Sequence, residues 1–96
     1  MEDVAACWYS LRVSRHARER MEERRVSLDE VLEALENPVQ LVYDEEKDVY
    51  LALGVNDVAV VYAARGRVVE IVTVMRRGEY EALVGRLRGR RYRVVY

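Results

Sequence analysis

The 96-residue chain has one cysteine, one histidine, one proline and one lysine, and its longest apolar run is Val58 to Ala64. Each scarcity excludes something. A lone Cys7 has no internal disulfide partner and makes neither a redox pair nor a zinc knuckle, so its role is that of a small buried hydrophobe. A bilayer-spanning helix needs ~20 apolar residues in line, far more than any run here. His16 has no second His or Cys to share a metal, and the acids cluster elsewhere, so neither a metal site nor a cofactor is expected. No Gly-rich phosphate loop, nucleophile elbow or Ser/His/Asp spacing is present. Met1-Glu2-Asp3 is acidic where a secretory signal is basic, and the expected location is the cytoplasm.

What remains is a chain long enough for one core but not two, so 1–96 is expected to be a single domain, less ordered at 1–8 and 91–96. The charge is nearly balanced but segregated. Met1 to Leu28 holds six Arg against five acids, Asp29 to Ala64 one Lys against nine acids, and Arg65 to Tyr96 nine Arg against three acids. Such asymmetry either presents a basic surface to an anionic partner or lets two halves neutralise each other in the fold. Fifteen of the sixteen cations are Arg, and Asn plus Gln number three, a bias that fits a thermophile or a GC-rich genome.

Residues 15–25 are strong helix formers preceded by Ser14 as a cap, with Val13, Ala17 and Met21 forming a narrow apolar stripe. Ser27-Leu28-Asp29-Glu30 is a capping box opening a second helix through Leu28, Val31, Leu32 and Leu35, which Asn37-Pro38 ends. The period then shortens. Strands are expected at about Val39 to Asp44, Asp48 to Leu53, Asp57 to Ala63 and Arg67 to Met75, joined by short turns that imply antiparallel hairpins. A third helix fits Gly78 to Arg90, and Tyr92 to Tyr96 fits a final strand. Ahead of the first helix, Trp8 to Val13 alternates like a strand while Asp3 to Trp8 suits a short helix, and both stay open. The fold class is therefore α+β: a short N-terminal strand or helix, two helices packed on one face of an antiparallel sheet of about four strands, and a C-terminal helical tail.

Helical spacing puts His16, Arg20 and Arg24 on one line beside the apolar stripe. An imidazole moves protons near neutral pH, a guanidinium grips phosphate at two points, and RNA supplies its own 2′-hydroxyl nucleophile, so metal-free phosphodiester cleavage is chemically sufficient here. The bland alternative is a solvated helix laced by Arg15 with Glu19 and Arg18 with Glu22. On the last long strand, Thr73, Arg76 and Arg77 gather at one end. Simple alternation sends Thr73 and Arg77 to one face and Glu70 and Arg76 to the other. The tail from Arg86 interleaves Arg88, Arg90, Arg91 and Arg93 with Tyr92 and Tyr96, a backbone-gripping, base-stacking composition or a solvated terminus. A helix-turn-helix is disfavoured because the second helix is acidic and no Gly marks the turn.

The segment His16-Ala17-Arg18-Glu19-Arg20-Met21-Glu22-Glu23-Arg24, followed by Asn37-Pro38 and Val72-Thr73-Val74, resembles a family of small domains of unknown function marked by His-Ala-x-x-Arg-Met-x-x-Arg. The resemblance covers about Tyr9 to Arg77. That family in turn resembles the RelE and ParE toxins, small proteins with two helices ahead of a curved antiparallel sheet, many of which cleave messenger RNA. The resemblance implies an endoribonuclease, and maps His16, Arg20 and Arg24 to the helix motif, Thr73 and Arg76 to the polar end of the central strand, and Tyr92 or Tyr96 to a C-terminal aromatic of the site. The expected catalytic residues are then His16, Arg20, Thr73 and Arg76, with Arg24 and Tyr92 and, from the basic composition of the strand end and tail, Arg77, Arg88, Arg90 and Arg91 holding RNA. The resemblance also implies an antitoxin protein as partner. The chain departs from the toxin pattern by placing Asp44, Glu45, Glu46 and Asp48 where toxins carry lysines on the middle strands. The alternative is a noncatalytic module that binds protein or nucleic acid through its Arg-rich side, as a homodimer through an edge strand such as Tyr92 to Tyr96.

Overall fold

The computed structural model describes residues 9–87 and 92–95. Along the chain run β1 (Ser10–Val13), α1 (Arg15–Arg24), α2 (Leu28–Glu36), β2 (Pro38–Asp44), β3 (Val49–Gly54), β4 (Val58–Arg65), β5 (Val68–Arg76), α3 (Arg77–Leu87) and β6 (Tyr92–Val94). The two helix starts follow from their caps. Ser14 Oγ accepts from the Ala17 N–H at 3.0 Å. Ser27 and Glu30 close a full capping box, a device whose cap alone is worth about 1 kcal/mol. Arg25 ends α1 in the left-handed region at φ 56°, without the glycine usual there.

The α+β class holds, with three helices and six strands among the described residues where the expected sheet had about four; the other two, β1 and β6, fall within the segments Trp8 to Val13 and Tyr92 to Tyr96. The sheet runs β1-β5-β4-β3-β2-β6. β1 lies parallel to β5 and every other neighbour is antiparallel, so the sheet is mixed. Ser10 to Val13 is strand, which resolves that half of the open alternative; Asp3 to Trp8 and Cys7 lie outside the described residues.

Two cores sandwich the sheet. α1 and α2 cover one face through Ala17, Val26, Val31 and Ala34 against Val58, Val60, Ile71 and Val74. α3 covers the other through Tyr80 and Leu87 against Val42, Leu51, Ala59 and Val61. Gly54 lets α2 approach β3, because a Cβ there meets the Ala34 Cα at 2.7 Å.

A register shift between Val61 and Tyr62 pairs Val61 with Thr73 and Tyr62 with Ile71, leaving Val72 as an extra residue in β5. This bulge breaks the expected alternation. Glu70 pairs with Ala63 and Thr73 with Val61, which puts both on the α3 face, while Arg76 pairs with Val58 on the α1–α2 face. Arg77 is no longer in the strand but is the first residue of α3.

Candidate functional site

The line of His16, Arg20 and Arg24 along α1 forms as its spacing requires, and its two ends differ. At the start, Ser14 Oγ donates to the Val72 carbonyl at 3.2 Å and the Ser14 N–H donates to the Ile71 carbonyl at 3.1 Å, so the β5 bulge anchors the helix. His16 is exposed, and no described residue hydrogen-bonds or ion-pairs with its ring. One turn on, half-buried Arg20 lies 3.4 Å from Glu23, a surface pair of the kind that contributes little.

At the other end Arg24 and Arg76 are both engaged. Arg24 grips Glu79 at two points, Nε to Oε1 at 2.9 Å and Nη2 to Oε2 at 2.5 Å. Glu79 Oε1 also accepts the Arg76 N–H at 3.3 Å, the reach-back of an N3 glutamate to the residue before α3. The Arg24 guanidinium pulls the Glu79 carboxyl from its ordinary 4.5 down to about 2, against a smaller upward push from desolvation. Arg76 Nη2 donates to the carbonyls of Arg24 at 2.9 Å and Arg25 at 3.2 Å. Those oxygens have no partner within the helix and form the negative end of its dipole, so a guanidinium is well suited to close them.

Arg76 therefore ties β5 to the end of α1. At 1.5 Å per residue, Arg24 lies about 12 Å along the helix axis from His16, beyond the reach of a single scissile phosphate whose proton carriers work at hydrogen-bond distance. Arg20, about 6 Å along the axis from His16, is the nearer cation on the line.

The expected four-residue set is thus divided. Thr73 lies on the opposite face of the sheet, beside a cavity of about 200 Å³ that it shares with Asp44, Lys47, Leu83 and Leu87, and its hydroxyl is 3.5 Å from the Val74 carbonyl. Arg77 is paired with Asp57 at 3.2 Å and Glu81 at 3.1 Å. Tyr92 is half-buried on the α3 face, where it packs against the core. Arg88, Arg90 and Arg91 lie outside the described residues.

Two features had no counterpart in the sequence patterns. Glu79 is 55 residues from Arg24, and only its place three residues beyond the end of a strand marks it as a helix-opening glutamate. Tyr43, Tyr50 and Tyr62 stack across β2, β3 and β4 with ring centroids 4.8 and 5.3 Å apart, and Arg93 sits 5.4 Å from the Tyr43 ring. Tyr50 and Tyr62 are stacked at 17° and Tyr43 is tilted by 42° on Tyr50, contacts that knit the three strands together. Among the described residues, no group of three or more His, Cys, Asp and Glu is placed to hold a metal ion, and no helix is long and apolar enough to cross a membrane.

The model of the family described as a domain of unknown function, DUF4258, matches residues 13–76, about two thirds of the chain, from the end of β1 to the end of β5. The chain belongs to that family. No curated protein and no solved structure gives a match to it.

Proposed function

We propose that this DUF4258 domain is a metal-independent endoribonuclease of the RelE-like toxin type, with its reaction centre at the start of α1. In the reaction the RNA 2′-oxygen attacks phosphorus, the P–O5′ bond breaks, the 2′-hydroxyl proton is removed and the departing 5′-oxygen gains a proton. His16 carries one of these protons and water the other; Arg20 holds the phosphate oxygens as negative charge builds on them. Positioned proton transfer of this kind is typically worth ~10² to 10⁴-fold. The observation that carries the reading is the exposed imidazole of His16, engaged by no described residue and one helical turn from a weakly paired arginine.

The grouping with RelE and ParE toxins draws support from α1 and α2 preceding an antiparallel meander on which both pack. An antitoxin protein is the partner that grouping brings. Arg76 acts in this reading as a positioning residue that fixes the helix bearing His16, and Thr73 has no part in the reaction.

A noncatalytic binding module is favoured instead by the closure of Arg24 on Glu79 and of Arg76 on helix carbonyls, which takes two of the expected phosphate-binding guanidiniums into the architecture. Incubation of the purified chain with a long unstructured RNA in chelator, beside His16→Ala at equal concentration, separates the two. The nuclease reading expects cleavage that the substitution abolishes. Absence of cleavage by either protein, or equal cleavage by both, excludes it.

A further inference from the structure

β1 is one end of the sheet, and its outer side has no strand beside it among the described residues. The Ser10 N–H donates to the Arg67 carbonyl at 2.7 Å and the Ser14 N–H to the Ile71 carbonyl at 3.1 Å, so the even-numbered residues turn their backbone groups inward to β5. By strand alternation, Leu11 and Val13 turn their N–H and C=O groups outward. Short edge strands bearing an arginine are a usual defence against stray pairing, and Arg12 supplies one here.

The edge nevertheless has more than a bare ladder. Beside it opens a groove of about 670 Å³ with Leu11, Val13, Met21 and Leu28 along its apolar side. Leu28 is 38% exposed although it opens the helix that packs on the core. Arg12 and Arg18 flank this groove, both exposed and neither ion-paired with any described residue. They differ in this from Arg24, Arg65 and Arg77, each of which holds a carboxylate within 3.2 Å.

We propose that the β1 edge is a docking site for an extended segment of a protein partner that alternates apolar and acidic residues and adds as a seventh strand. Its backbone pairs with Leu11 and Val13, and its apolar side chains enter the groove over Met21 and Leu28; the carboxylates that alternate with them turn to the other face of the sheet, where Arg12 stands in register with Glu70, and an acidic residue at the end of the apolar run meets Arg18 at the rim of the groove. Strand addition draws affinity from the main chain and specificity from pockets for alternate side chains, and this edge supplies both. Charge decides against a second copy of the chain. Two-fold pairing of β1 with itself brings both copies of Arg12 together on one face of the edge and both copies of Arg18 together on the other, and β6, the other edge strand, carries Arg93 and no acid. The inference is independent of any action on RNA, since His16 takes no part in it.

A displayed library of random twelve-residue peptides, selected on the full chain, tests the proposal. Expected are peptides that alternate apolar residues with Asp or Glu, and protection of the Leu11 and Val13 amides from exchange when the best of them binds. Affinity should fall at least tenfold, about 1.4 kcal/mol, for Arg12→Glu/Arg18→Glu and for a proline placed mid-peptide, and should be unchanged by His16→Ala. Arg18→Gln should weaken binding in the same direction by about threefold, the lesser loss of a rim charge. Selected peptides without acids, binding indifferent to the double substitution, or amides at Leu11 and Val13 that stay unprotected would each overturn it. So would sedimentation as a dimer with those two amides already protected, or loss of RNA binding in the double variant while peptide binding persists.

Discussion

The two ends of α1 carry the same residue type in opposite circumstances. At its start His16 is engaged by no described residue; in the middle Arg20 pairs only with Glu23, though its charge also reaches Glu79; at its end Arg24 is clamped by Glu79 and the last carbonyls are closed by Arg76. The difference teaches that a line of cations on a helix is not one site. Whether a guanidinium serves solvent or structure depends on what the rest of the chain brings beside it. Here a strand end and the first turn of α3 converge on the helix terminus and engage its cations, while at the helix start β5 holds the Ser14 cap and leaves the His16 ring without a described partner.

Substitutions can break this division. The largest effect is expected from His16→Ala, a loss of ~10² to 10⁴-fold in RNA cleavage with an unchanged melting temperature, measured by single-turnover kinetics and thermal unfolding. Arg76→Ala should do the reverse, removing a charged donor from two helix carbonyls and lowering stability by about 1.5 to 3 kcal/mol in urea titration. Ser14→Ala removes a cap and the tie to the Val72 carbonyl, with an expected cost of about 1 kcal/mol by the same titration.

Acid sharpens the comparison further. The Glu79 carboxyl has a folded pKa of about 2 against an ordinary 4.5, so the stability it contributes is fully present above about 4.5 and is lost as pH falls toward 2. The melting temperature should decline across that window in the wild type, and Glu79→Gln should flatten this part of the decline. The smallest effect belongs to Thr73→Val, which leaves cleavage unchanged because pairing with Val61 places the residue on the far face.

What was legible in the sequence was local. The Ser14 cap, the Ser27–Glu30 box and the break at Asn37-Pro38 are set by residues within one turn of each other, and both helices begin and end close to where those residues put them. The hairpins were legible for the same reason, since their turns and alternation are contiguous. Hidden were features that depend on separation along the chain. β1 lies parallel to a strand nearly 60 residues away and β6 returns to pair with β2, pairings that no nearby turn announces. The bulge at Val72 is a property of two strands together, so alternation in β5 alone sent Glu70 to the wrong face. The site was half legible: helical period alone aligned His16 with Arg20 and Arg24, but only the folded chain brings Glu79 and Arg76 to the helix end.

The central claim is that reaction and architecture divide between the two ends of α1. Its most direct test is single-turnover cleavage of RNA in chelator by His16→Ala and Arg76→Ala, at a temperature where thermal unfolding shows both to be folded. Expected is an Arg76→Ala variant that keeps most of the wild-type rate and a His16→Ala variant that loses it. Cleavage lost in Arg76→Ala and kept in His16→Ala would contradict the account, by placing the chemistry at the end of the helix it assigns to structure.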